Sequence, residues 1–416
     1  MKHIGLDFGT ANTSVSVLDG EELAVLPLER QSVSLPSTLF FDFEDGSTQI
    51  GQAAFDRYYF GDQGRFLRSF KSALGTRTID HTIRIKHDTY QIRDIIRHYI
   101  GEVLSRAQAQ LGTTIDSLVV GRPVNFIDDN PLADQQAEDT LRQIVSDLGV
   151  SNIEFQLEPI AAALNYGVTI VGEEVVLVID IGAGTSDFSV VKFQAKGSAD
   201  SVKSEVIANC GIHIGGNDFD KVIALERVMP LFGYRQRFKR RPELEAPRSY
   251  FLNASSWHQI DLLYDRKVLA TLAELEPQME QPDTFARFSQ LIRSRQPHKV
   301  LTSVEQAKRK LGADDATQVE MPFVEDSVSL PLSVSQLNTH INELCIQIIA
   351  TANQAIENAG LKKPDIDTVY LTGGSMGIRH LSQMVASEFE HSKIVEGDRS
   401  TAVARGLALD AKVKFG

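Results

Sequence analysis

Two stretches of this chain place an aspartate beside a glycine- and threonine-rich turn. Residues 3–17 read HIGLDFGTANTSVSV, and residues 178–191 read VIDIGAGTSDFSVV. In each, an apolar run ends in Asp7 or Asp180. A turn follows (Gly9-Thr10-Ala11-Asn12, then Gly182-Ala183-Gly184-Thr185), and a second apolar run begins. Glycines at such turns let backbone N–H groups approach phosphate oxygens with no Cβ in the way, and the threonine hydroxyls add donors. Two such turns could grip one polyphosphate from opposite sides. The aspartates carry the wrong sign for that task alone. At ~5 Å and an effective dielectric of ~20, a carboxylate and a phosphate repel by roughly 3 kcal/mol. Asp7, Asp180, Asp187 and Glu158 around a triphosphate therefore call for a cation. Mg²⁺ fits, because it keeps several waters and is held by one or two carboxylates plus phosphates. Asp187 reads equally well as a turn-capping residue. A third glycine element, Leu371-Thr372-Gly373-Gly374-Ser375, ends a strand and opens a helix. That geometry turns free N–H groups and a positive dipole end toward a ligand.

The elements that must position these residues follow from pattern. A turn flanked by two strands is a hairpin, which excludes the dinucleotide fingerprint, since that needs a helix after its glycines. Asp7 and Asp180 lie 173 residues apart (180 − 7), about one α/β lobe. Between the two copies the pattern predicts a polar mixed segment (32–92), helix 93–111, strand 117–121 and a helix around 133–148. A short small-residue helix at 157–167 follows. The second half predicts helix 217–233 after Gly215-Gly216, a long polar segment (234–300), and helices 303–312 and 335–359. Strand 368–372 and a final helix from about 400 complete it. Helices alternating with strands in two similar halves predict two α/β lobes meeting along a cleft.

Composition narrows the partners. Of 416 residues, 42 are Lys or Arg and 55 Asp or Glu, a net charge of −13, which argues against non-specific nucleic-acid binding. Two cysteines outside any C-x-x-C make a disulfide framework improbable. No apolar run approaches the ~18 residues that cross a bilayer, and Asp7 interrupts any secretory leader. No membrane association and a cytoplasmic location are the expectations.

Further motifs occur in order between these: SFKSALG (69–75), VVGRPVNF (119–126), LEPIAAALNYG (157–167), GIHIGGNDFD (211–220), VEQAKRKLG (304–312), LTGGSMGI (371–378) and TAVARGLALDA (401–411). With the two hairpins they resemble the nucleotide-binding domain of the DnaK-type, seventy-kilodalton heat-shock chaperones, and among these the short bacterial members of the YegD type. The resemblance implies an actin-like ATPase fold: two lobes, each a duplicated ribonuclease-H-like α/β unit, around ATP or ADP and Mg²⁺. Lobe I would have its core in 1–31, 93–171 and 396–416, with 32–92 as outer subdomain. Lobe II would have its core in 172–215 and 338–395, with an enlarged outer subdomain, 216–337.

The resemblance also implies roles. Gly9, Thr10 and Ala11 would form the first phosphate loop, and Gly182, Ala183, Gly184 and Thr185 the second. Asp7, Asp180 and Asp187 would hold Mg²⁺ through water, with Asp180 orienting the attacking water. Lys71 falls at the catalytic lysine and Glu158 at the carboxylate coupling nucleotide to lobes. Gly215, Gly216, Glu305, Lys308 and Arg309 would hold the nucleoside, with Gly373, Gly374 and Ser375 as adenosine loop. Read without the resemblance, Lys71 is a solvated lysine near Arg65 and Arg68, and Lys308 and Arg309 are a charged helix face.

Several positions depart from the family pattern. Gly377 replaces a base-stacking arginine, Gly312 a small hydroxyl residue, Asn125 an aromatic and Asn12 a tyrosine. Weaker adenine affinity is expected, and the changes weigh against normal interlobe signalling and potassium-assisted binding but not against nucleotide binding; co-chaperone docking is doubtful. No substrate-binding domain is expected after the last helix. The run Arg235-Gln236-Arg237-Phe238-Lys239-Arg240-Arg241 could dock an acidic protein partner within 217–300, although a solvated helix face is the plainer reading. Trp257 is expected in a core, Met376 in packing, and His213 as a structural hydrogen-bonder. The function that follows is a chaperone-like, slow Mg²⁺-dependent ATPase working by lobe closure. The alternatives are a non-hydrolysing nucleotide-gated scaffold or regulator, a small-molecule kinase, and an actin-type filament.

Overall fold

The computed structural model describes residues 2–86, 88–195, 202–324 and 327–416. Its first five-strand order contains β1 (Lys2–Phe8), β2 (Asn12–Asp19), β3 (Glu22–Val25), β4 (Ser117–Arg122) and β5 (Asn152–Leu157), arranged β5-β4-β1-β2-β3. The short strand Leu35–Pro36 also pairs with β2. The second order contains β6 (Glu173–Ile181), β7 (Ser186–Ala195), β8 (Val202–Ile212), β9 (Thr368–Thr372) and β10 (Lys393–Glu396), arranged β10-β9-β6-β7-β8. In both, the first three strands are an antiparallel meander and the last two join in parallel. The duplication seen in two short sequence motifs therefore extends to whole sheets.

Burial accounts for the strands. The central strand β6 reads EEVVLVIDI and is buried from Val176 onward, the continuous apolar pattern of a strand covered on both faces. Helix Ile92–Leu111 packs Ile95, Ile96, Tyr99, Ile100 and Val103 into the first core. Helix Pro131–Asp147 starts from Asn130, whose side chain accepts from Ala133 N–H at 3.1 Å, with proline in its first turn. Helices Glu158–Gly167 and Ala402–Phe415 cross at small residues. A Cβ on Gly406 would fall 1.7 Å from the Ala161 carbonyl oxygen, so only glycine permits that approach.

Packing divides the chain into two compact units. The first comprises Met1–Gly215, Gln347–Met376 and Gln383–Gly416. Both five-strand arrangements belong to it. The second comprises Gly216–Ile346 and Gly377–Ser382. Its core includes Phe251, Phe285 and Phe288, with the rings of Phe251 and Phe288 4.5 Å apart, and Trp257 is buried as expected.

Most expected elements recur with shifted ends, such as Val334–Asn358 and Ala402–Phe415. Three readings are corrected. The single helix 217–233 is instead α-helix Gly216–Ile223, a wide turn Ala224–Val228 and a tight turn Met229–Phe232, because Pro230 lacks the N–H that would continue the ladder. The polar segment 234–300 holds helices Arg248–Ala254, Arg266–Leu275 and Pro282–Arg293, and the next helix starts at Pro297 rather than 303. The basic run is no helix face. Arg237–Phe238 and Arg241–Glu245 form a small hairpin that carries Lys239 and Arg240 at its tip.

Candidate functional site

The two hairpin turns meet in the first unit. A Cβ on Gly184 would lie 2.7 Å from Thr10 Oγ1, so the second turn touches the first where glycine leaves room. Gly215 sits against the second turn as closely, since its Cβ would fall 2.6 Å from the Ala183 carbonyl. Gly373 has φ of 86°, and a Cβ there would come within 2.3 Å of Ile181 O. Side chains fix the turns from behind. Ser37 donates through Oγ to Gly9 O at 2.7 Å and through its N–H to Ala11 O at 2.8 Å. Ser375 Oγ donates to Gly182 O at 2.8 Å, so this serine braces the second turn. Gly182 N–H closes that turn on Thr185 O at 2.9 Å.

Carboxylates line the same region. Asp7 and Asp180 are next to last in β1 and β6, and Asp187 stands opposite Asp180 in β7. Glu158 opens helix Glu158–Gly167. Lys71, on the tight turn Phe70–Ala73, is buried and reaches Glu158 Oε1 at 2.7 Å. It is no solvated lysine. Burial first, then the charge of Glu158, pushes Asp7 up to about 7, and Asp187 likewise to about 7. Asp180 is raised well above the usual carboxylate range by burial and by Glu158, Asp187 and Asp7, with Lys71 opposing.

Mutual repulsion of this kind is what a divalent cation relieves, so the donor set fits Mg²⁺. Among the described residues no three His, Cys, Asp or Glu side chains are grouped to hold a metal unaided. Phosphate and water oxygens must then complete any coordination.

In the second unit, Lys308 is buried, pairs with Asp220 at 2.6 Å and donates to Gly216 O at 2.7 Å. Asp220 also accepts from Trp257 Nε1 at 3.4 Å. Arg309 pairs with Glu305 at 2.9 Å and is largely exposed. The two departures at 312 and 377 are neighbours: a Cβ on Gly312 would lie 2.9 Å from Gly377 O. Arg379 secures the helix end beside them, donating to Leu311 O at 3.1 Å and pairing with Asp315 at 3.0 Å. The backbone N–H of His213 donates to Asp128 at 2.8 Å, and Met376 is buried.

Sequence reasoning missed three contributors. Ser37 lay in a segment read only as polar. Asp220 closes the quoted GIHIGGNDFD motif, but nothing there names Lys308 as its partner. Arg122 sits inside VVGRPVNF, and its partners lie on a later helix.

Duplicated sheets whose equivalent hairpins bring glycine turns and strand-end carboxylates together define a phosphate-binding protein of the actin-like ATPase fold. The family model described as Hsp70 protein matches residues 3–241 and 289–416, and the chain belongs to the Hsp70 family. It is accordingly a chaperone-like ATP-binding protein. Segment 242–288, which includes Trp257, lies outside the matched residues. Among the described residues no helix is long and apolar enough to cross a membrane.

Proposed function

We propose that the chain is a slow, Mg²⁺-dependent ATPase in which the two hairpin turns clasp the polyphosphate and nucleotide state sets lobe closure. The observation that supports this most is the approach of Gly184 to Thr10 beside the buried Lys71–Glu158 pair. Phosphoryl transfer needs positioning and charge neutralisation more than covalent help. Backbone N–H groups at Gly9–Ala11 and Ala183–Thr185 bind phosphate oxygens, with Gly182 closing the second turn, and Lys71 offsets charge on the transferring group. Asp180 orients the water, and Thr185 adds a donor. Asp7, Asp180 and Asp187 hold the cation through water, and when bound it neutralises the phosphate charge these carboxylates would otherwise oppose. Gly215, with Gly373, Gly374 and Ser375, positions the nucleoside. Within the second unit, Lys308 fixes Gly216 while it stays paired with Asp220. A protein partner in the enlarged segment 217–300 and a cytoplasmic setting belong to the same reading.

ATP hydrolysis by the full chain tests this against Lys71→Ala and Thr185→Ala. Equal rates in all three would remove the catalytic assignment. A second reading, a nucleotide-gated module that does not hydrolyse, is favoured by the contact of Gly312 with Gly377, where the family carries larger groups. Calorimetry showing tight ATP binding with no phosphate release selects it.

A further inference from the structure

Arg122 ends β4 immediately before Pro123. Its guanidinium is fully engaged nearby. Nη2 reaches Asp134 Oδ2 at 2.6 Å and Nη1 reaches Glu138 Oε2 at 2.6 Å. Nε donates to Pro123 O at 3.0 Å, and Nη2 also donates to Val124 O at 3.2 Å. The Phe126 ring lies 5.1 Å away, and Phe126 N–H donates to the other Asp134 oxygen at 2.5 Å. Asp134 and Glu138 are four apart on helix Pro131–Asp147, so they share one face and present a matched pair of acceptors. Loop 123–126 is thereby clamped to that helix along its length.

What the clamped loop presents is the Val124 N–H, which donates to Asp187 Oδ1 at 2.6 Å. The fit around it is close. A Cβ on Gly211 would lie 3.0 Å from Val124 Cβ and 3.1 Å from Asp187 Oδ1. Asn125 Nδ2 reaches Gly211 O at 3.5 Å, and Asp128 accepts from His213 N–H at 2.8 Å. Arg122 thus joins two helix carboxylates to two loop carbonyls, and the loop meets Asp187 through the Val124 N–H.

We propose that Arg122 is a positioning residue: by clamping loop 123–126 to helix Pro131–Asp147 it holds the Val124 N–H on Asp187 and so aims that carboxylate for a nucleotide-bound divalent cation. The inference rests on the reading of Asp187 as a metal-side carboxylate. Losing a hydrogen bond that orients a metal-side carboxylate typically costs about 10–100-fold in metal affinity. The role needs the planar fork rather than the charge, since four acceptors are met at once and a lysine ammonium cannot match them.

Calorimetry on the full chain tests it, with Mg²⁺ titrated at saturating ADP and ADP titrated in EDTA. Arg122→Met and Arg122→Lys should both weaken Mg²⁺ binding about tenfold or more, leaving Mg²⁺-free ADP affinity unchanged. In an Asp187→Asn background, Arg122→Met should cost nothing further. Arg142→Met is the control. Arg142 also pairs with Glu138 and stacks on Phe155 but does not touch loop 123–126, so its loss should leave the Mg²⁺ affinity alone. If Arg122→Met does not fold, Glu138→Gln should show a smaller loss of the same kind. Unchanged Mg²⁺ affinity in the Arg122 variants overturns the inference, as does a loss that persists undiminished without Asp187. Failure of the unaltered chain to bind ADP with Mg²⁺ would instead bring down the nucleotide reading on which it stands.

Discussion

Asp180 and Asp187 stand directly opposite one another across the antiparallel pair β6–β7, and both are buried. Like charges facing each other in a sheet are destabilising, and burial removes the water that would screen them. Such an arrangement favours holding protons, or a cation, over leaving both groups charged.

The first prediction follows from proton linkage. An ordinary aspartate titrates near 3.8, whereas Asp7 and Asp187 hold protons up to about 7. Between those values the native chain binds more protons than the unfolded one, so stability falls as pH rises through the window. Melting temperature measured in EDTA should therefore drop between pH 4 and pH 7, and Asp187→Asn should flatten the slope. Mg²⁺ with ADP should flatten it too. A melting temperature that climbs with pH in EDTA, with no response to Asp187→Asn, would contradict the assignment.

The Lys71–Glu158 pair, with both side chains largely buried, gives the second. Removing one partner of a buried pair typically costs about 3–5 kcal/mol, because the other charge is left uncompensated. Lys71→Met should destabilise by about that much by urea titration, and Lys71→Met with Glu158→Gln should recover most of it. Hydrolysis should stay lost in both, which separates the stabilising role of the pair from its place in the chemistry.

The glycine approaches give the third. Gly215→Ala drives its Cβ onto the Ala183 backbone, which cannot swing aside. Gly184→Ala meets only the Thr10 side chain at its nearest point. Overpacking of this kind costs about 1–3 kcal/mol. ADP affinity should fall in both variants and further in Gly215→Ala. Equal affinities across the three proteins would mean that these turns do not shape the phosphate site.

Trp257 is the only tryptophan in the chain, and it lies in the second unit, donating to Asp220, the partner of Lys308. Its fluorescence therefore reports that unit. Lys308→Met should move the unfolding midpoint seen by Trp257 down by the equivalent of about 3–5 kcal/mol. Asp220→Asn added to it should restore part of the loss. An unshifted fluorescence transition would show that Lys308 is free of Asp220 in solution.

Sequence alone determined both hairpins with their strand-end aspartates, the helices at 93–111 and 335–359, and the family. Those features are local: side chains repeat with the period of the element that buries them, and tight turns demand glycine within a few positions. Contacts set by chain folding were illegible. Lys71 and Glu158 are 87 residues apart, Asp220 and Lys308 are 88 apart, and neither spacing carries a signal. The basic run at 235–241 looked like a helix face because a solvated segment has no burial period to distinguish helix from hairpin. Arg122 read as one charge among many until β4 and helix Pro131–Asp147 packed together and gave its fork four acceptors. The tertiary structure decided which charges are paired and which are left to repel, because that depends on desolvation and distance between segments remote in the chain.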